Sequence, residues 1–196
     1  PRSFQRFVVG AAALLVALAL VLAFSIRIDA QLKQSSQVRL QSMLLADEMR
    51  QSSDELTRMA RNYVATGSPE YQQRYQTVLD IREGRRPRPI KFLTRSLAST
   101  ADDGKAPADA AVPLLEVLRR SGVTPAEFDL LARAKNSSDT LALTEQAAMG
   151  LVERSNSSET QGKARAMLYG VEYQSAKANI MSSLDAFYLA VDDRTR

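Results

Sequence analysis

The chain has 196 residues, a net charge of +4 and neither Cys nor His, which excludes disulfides, thiolate metal sites and the commonest general base and metal ligand. Arg2 and Arg6 supply two of the four charges, and the remainder is too balanced for a nucleic-acid surface. With only 8 Gly, 7 Pro and 6% aromatic residues, the composition favours an all-α fold over a β sandwich.

Residues 7–26, FVVGAAALLVALALVLAFSI, carry no charge. A helix of that length is about 30 Å long, the thickness of a bilayer's hydrocarbon core. Arg2 and Arg6 stand before it, and a basic flank stays on the cytoplasmic side. The reading is a cytoplasmic flank over 1–6, a transmembrane helix over 7–26, and a domain over 27–196 on the far side of the lipid bilayer. A cleaved signal peptide is the competing reading, with Val21-Leu22-Ala23 as its cleavage site, although such apolar stretches are commonly shorter. A buried core helix is a third, and it lacks the polar face that soluble helices show.

From Arg27 a helical pattern continues to Gly67, where a left-handed cap suits glycine. In its second half Leu45, Met49, Ser52, Leu56, Met59 and Tyr63 alternate spacings of four and three, the seam of a helix facing other helices. Ser68, Pro69 and Glu70 open a second helix, which presents Tyr71, Tyr75, Val78 and Leu79 on one face and ends at Gly84. Arg85 to Pro89 reads as extended chain, residues 90–97 as a short helix, and 99–107 as a disordered loop. Residues 112–121 form another short helix, with Leu114, Leu115 and Leu118 inward and Gly122 behind it.

Thr124-Pro125-Ala126-Glu127 is a capping box with proline at the first helical position. The helix that it opens runs to about Arg154, with Leu130, Ala134, Ser137, Leu141, Thr144, Ala148 and Leu151 as its predicted stripe. Ser158 with Gln161 caps a last helix, whose stripe is Tyr173, Ala176, Ile180, Leu184, Phe187 and Val191, and whose start Gly162 and Gly170 weaken. The chain opens on Pro1 rather than Met and closes at Arg196 with a helix heading back towards the membrane. It therefore reads as a segment of a longer protein, cut just before a second membrane span.

Nothing here supports catalysis. The chain has no glycine-rich phosphate loop, no HExxH, no Gly-x-Ser-x-Gly elbow and no His for a nucleophile. No cofactor and no metal site is expected, and the chain reads as a non-enzyme. The candidate binding residues lie around the Gly67 turn, where Arg58, Arg61 and Asn62 are close in sequence to Tyr71 and Tyr75. A guanidinium beside aromatic walls suits a carboxylate or a planar ligand. Arg88, in the Arg85-Arg86-Arg88 cluster, is a further anion candidate. Ser52, Ser137 and Thr144 lie on apolar seams, where small hydroxyls permit close packing or line a polar pocket between helices.

The stretch LTRMARNYVATGSPEY over 56–71 resembles one found in the extracytoplasmic helical sensor domains of bacterial chemoreceptors, sensor histidine kinases and diguanylate cyclases. IREG over 81–84, PRP over 87–89 and Tyr169-Gly170 with Tyr173 fit the same pattern. The resemblance implies an elongated four-helix-type bundle with short extra helices, periplasmic, between two spans of a bacterial inner membrane and often dimeric. It implies ligand binding that shifts helices and drives a cytoplasmic output module. In related receptors an arginine meets a carboxylate, and Arg61 takes that role here by analogy. The expected partners are an anionic small molecule, the bilayer and a second copy of the chain. The other class of function is a membrane-anchored dimerisation or protein-interaction module with no small ligand.

Overall fold

A computed structural model describes the backbone of residues 2–87, 111–155 and 157–195, with side chains over 37–194 of these and, earlier, at 18, 20–22, 24 and 27. Arg88 and the expected segments 90–97 and 99–107 lie outside the described residues. Everything described is helix or its connections: α1 (Arg2–Thr66), α2 (Pro69–Arg82), α3 (Leu114–Arg120), α4 (Pro125–Arg154), α5 (Ser158–Tyr169) and α6 (Val171–Thr195). The all-α expectation holds.

The chain divides into two compact units, Pro1–Val38 and Arg39–Arg196. In the first, the described apolar side chains Leu18, Leu20, Val21, Leu22 and Phe24 are each more than half exposed. Among the described residues no helix is long and apolar enough to cross a membrane, and most side chains of 7–26 fall outside that description.

The second unit is built by apolar stripes at helical spacing. Leu45, Met49, Leu56, Met59 and Tyr63 of α1 are buried, whereas Ser52 is half-buried and bonds back to the Met49 carbonyl at 2.9 Å. α2 contributes Tyr75 and Leu79, and α3 contributes Leu114 and Leu118. α6 buries Tyr173, Ile180, Leu184, Phe187 and Val191 of its predicted stripe, with Ala176 half-buried. α4 packs along both α5 and α6.

Helix ends follow their sequence signals, except that Ser68 starts α2 without a side-chain cap bond and two further ends differ. The Thr124 box is formed in full: Thr124 Oγ1 accepts from the Glu127 amide, and the Glu127 carboxylate accepts from the Thr124 amide at 2.7 Å. The last helix is capped by Ser157 rather than Ser158, its hydroxyl accepting from the Thr160 amide at 3.2 Å. That helix is also two helices. Gly170 has φ −66° and ψ 165°, an extended residue that ends α5 and starts α6 afresh.

At the other end of α2, Gly84 takes φ +70° where the chain passes the segment entering α3. A Cβ there would stand 2.5 Å from the Pro113 nitrogen and 2.6 Å from the Val112 carbonyl carbon. Glycine is required twice over, by conformation and by contact.

α4 buries part of the expected stripe and a second one beside it. Ala134, Leu141 and Ala148 of the predicted stripe are buried, but Leu130, Ser137, Thr144 and Leu151 are only half-buried, and Leu131, Ser138, Ala142, Glu145, Met149 and Val152 are buried beside them. The buried face extends past the predicted stripe because Glu145, a charged group that patterning assigns to solvent, points inward and finds partners there.

Candidate functional site

Two connected features carry the polar chemistry of the second unit. The first is Glu145, only 1% exposed. A carboxylate buried without partners would be strongly unfavourable, and three hydroxyls from three other helices answer it. Tyr173 of α6 reaches Oε1 at 2.5 Å, Thr57 of α1 reaches Oε1 at 3.0 Å, and Tyr75 of α2 reaches Oε2 at 3.1 Å. Behind them Lys177 of α6 donates to Thr57 Oγ1 at 3.1 Å and to the Ser53 carbonyl at 3.2 Å, and pairs with Asp54 at 2.8 Å. One carboxyl thus ties α1, α2, α4 and α6 together.

Burial pushes the Glu145 carboxyl above the usual carboxylate range, and the Tyr173, Thr57 and Tyr75 hydroxyls with the Lys177 charge oppose that only in part. The Tyr75 and Tyr173 hydroxyls are themselves pushed well up, first by burial and then by the Glu145 charge. They are donors at any physiological pH.

The second feature is a half-open cavity of about 340 Å³ lined by Asp54, Thr57, Arg58, Arg61, Asn62, Tyr169 and Lys177. Thr57 and Lys177 belong to both features. Three cations converge on the cavity. Arg58 pairs with Glu55 and Lys177 with Asp54, while Arg61 has no carboxylate within ion-pair distance among the described residues. Its guanidinium stacks on Tyr169, 4.2 Å from the ring centroid, and lies 5.4 Å from that of Tyr173. Nη2 donates to the Leu168 carbonyl at 2.9 Å, and Nε is buried without a partner.

That carbonyl is free because α5 stops at Gly170. The last carbonyls of a helix have no intrahelical partner, and Arg61 supplies one from across the fold. The side chain is therefore both a wall of the cavity and a cap on the break between α5 and α6.

Of the residues read from the sequence as ligand-binding, Arg58, Arg61 and Asn62 line this one cavity. Tyr71 and Tyr75 do not. Tyr71 is half-buried against the apolar core, and Tyr75 is 2% exposed with its hydroxyl on Glu145. The aromatic wall beside Arg61 comes instead from Tyr169 and Tyr173, distant in sequence. Sequence reading also missed Lys177 and Glu145. The signal for both was their place one or four residues from apolar stripe positions, which charge overrode. Arg85 and Arg86, neighbours of Arg88, pair with Asp80 on the surface.

Other polar contacts are structural. Arg82, 3% exposed, donates to Ser138 at 2.7 Å and pairs with Asp139 at 2.5 Å, linking α2 to α4. Arg194 pairs with the buried Glu127 at 2.7 Å, and Arg39 pairs with Asp192. Among the described residues no cluster of acidic groups could hold a metal ion. Comparison with protein-family models, curated proteins and solved structures gives no match.

Proposed function

We infer that this chain is the extracytoplasmic ligand-sensing domain of a bacterial transmembrane signalling receptor. In this reading residues 7–26 anchor it in the inner membrane and the second unit is periplasmic. That unit works as a four-helix-type bundle in a homodimer and passes a helix shift to a cytoplasmic output module. The observation that carries the reading is the cavity in which Arg58, Arg61 and Lys177 converge beside Asn62 and Tyr169. Ligand sites are concave and hold a few convergent polar groups, and three cations, one of them a guanidinium with no carboxylate partner among the described residues, favour a small anion.

The cavity is coupled to helix geometry because Arg61 also caps α5 and Thr57 also holds Glu145. A ligand shifts an equilibrium only by binding its two states unequally. A guanidinium shared between a ligand and the Leu168 carbonyl supplies such a difference. The anchor is supported by Leu20, Val21 and Leu22, which are successive, point in different directions on a helix and are all more than half exposed. Such a surface suits lipid.

The test is a thermal-shift screen of the chain against carboxylates, inorganic oxyanions, amino acids, amines and nucleobases. A ligand at a hundred times its Kd adds about 2.7 kcal/mol, a rise of roughly 5–11 °C for a chain of this size. A carboxylate or oxyanion whose Kd weakens tenfold or more in Arg61→Lys supports the reading. A folded chain with no hit refutes it.

The second reading is a membrane-anchored helical module that binds another protein or its own copy and no small ligand. Val171 at 86% exposure, with Leu143 and Tyr169 also more than half exposed, favours it. Val171 and Met167 line a second, larger groove with Thr140 and Thr144. Association lost on Val171→Glu, with no ligand found, would select this reading.

A further inference from the structure

The hydrogen bonds around Glu145 are redundant in a specific way. Each hydroxyl that reaches the carboxyl has a second acceptor already in place. Tyr75 lies 3.1 Å from the Ala142 carbonyl, Thr57 lies 3.0 Å from the Ser53 carbonyl, and Tyr173 lies 3.0 Å from Thr57 Oγ1. The carboxylate is therefore not needed to satisfy the groups that surround it, although its own burial is unfavourable.

Two complete arrangements follow, differing by one proton. With Glu145 ionised, Tyr75 donates to Oε2, Tyr173 and Thr57 donate to Oε1, and Lys177 donates to Thr57. With a proton on Oε2, Glu145 donates to the Tyr75 oxygen and Tyr75 turns its own proton to the Ala142 carbonyl. Thr57 then turns to the Ser53 carbonyl, while Tyr173 still donates to Oε1. No polar group loses its partner in either state, so only hydroxyl rotors move.

We propose that Glu145 is a proton-binding site through which this domain responds to acidity, switching the hydrogen bonds among α1, α2, α4 and α6. The ligand is the proton itself, and the proposal stands whether or not the neighbouring cavity takes an anion. The charged and titratable groups facing the site are Asp54 and Arg61 of α1, Tyr75 and Arg82 of α2, and Tyr173 and Lys177 of α6. Both tyrosines stay protonated, and the Arg61 and Arg82 charges bear on Tyr173 and Tyr75 respectively. Glu145 is the carboxyl that the three hydroxyls hold, and Lys177 is the cation that opposes its protonation.

The folded state holds this proton more tightly than the unfolded chain, whose Glu titrates near ~4.3. Stability from this group is thus present in acid and is lost as pH rises from ~4.3 through the folded midpoint.

The experiment is an infrared titration of the full 196-residue chain in bilayer nanodiscs, following the protonated-carboxyl stretch. We expect a band whose midpoint lies above the ordinary Glu value, absent in Glu145→Gln. Lys177→Gln removes the opposing cation and Tyr75→Phe removes a donor to the ionised form, so each moves that midpoint up. Either variant reads out the site even where Glu145→Gln does not fold. A band that survives in Glu145→Gln, a midpoint at the ordinary value, or a midpoint that neither Lys177→Gln nor Tyr75→Phe moves would overturn the proposal.

Discussion

Arg61 separates a binding role from a structural one, and the contacts allow the structural share to be sized. Replacing it with Met keeps an apolar stem of similar length and removes the guanidinium. The loss is one hydrogen bond from a charged donor to the Leu168 carbonyl, 2.9 Å long, and stacking on Tyr169 at 4.2 Å. Such a bond contributes about 1.5–3 kcal/mol and the cation–π contact about 0.5–2 kcal/mol. Arg61 is only partly buried and its Nε already lacks a partner, so the lowest third of the combined range applies, about 2–3 kcal/mol. Urea denaturation followed by circular dichroism measures this directly. The melting temperature should fall by roughly 4–12 °C. Arg61→Lys retains the charge but not the planar fork and should recover part of the loss. Unchanged stability in Arg61→Met would refute the capping argument and leave ligand binding as the only role for the side chain.

Other positions give sharper contrasts. Gly84→Ala combines a left-handed backbone, about 1–2 kcal/mol, with a Cβ 2.5 Å from backbone that has little freedom to retreat; a measured loss of under about 1 kcal/mol would contradict the geometry. Thr124→Ala should cost about 1 kcal/mol, the value of one N-cap. Glu127→Ala should cost more, because the buried Glu127 also holds Arg194; the reverse order in urea midpoints would count against that pairing. Phe187→Ala should cost about 3–5 kcal/mol, whereas Leu189→Ala, at a side chain 67% exposed, should stay within about 0.5 kcal/mol. Tyr173→Phe deletes a donor to Glu145 and should cost about 1.5–3 kcal/mol where the carboxyl is charged, and about 0.5–1.5 kcal/mol where it is neutral. Its effect should therefore shrink as pH falls through the folded Glu145 midpoint, and a pH-independent difference in urea titrations would sink the idea.

Much of the fold was legible because local signals agree with the tertiary result. Thr124 with Glu127, Pro69 after Ser68, and Gly84 and Gly122 at positive φ each act within a few residues, so their outcome barely depends on what packs around them. The apolar stripes of α1 and α6 were readable for the same reason, since their spacing leaves one face available. The break at Gly170 was less so. A glycine in a helical pattern is tolerated more often than not, and the residue that stabilises the gap, Arg61, lies 107 positions away from Leu168.

α4 shows where pattern reading must fail. Its sequence offers two adjacent stripes, one through Leu130, Ser137, Thr144 and Leu151 and one through Leu131, Ser138, Glu145 and Val152. Hydrophobicity prefers the first, because the second would bury a carboxylate. The fold buries the second together with Ala134, Leu141 and Ala148 of the predicted stripe, since Thr57, Tyr75 and Tyr173 converge on that carboxyl from three other helices. No window along α4 contains those donors, so the decision is invisible to any local count. A charge turned inward at a structural cost, among neighbours that have other acceptors, is the kind of local conflict expected at a functional position. The half of the cavity that the sequence did yield, Arg58 with Arg61 and Asn62, sits on one helix. The half that it did not, Tyr169 and Lys177, arrives from α5 and α6 on either side of the Gly170 break.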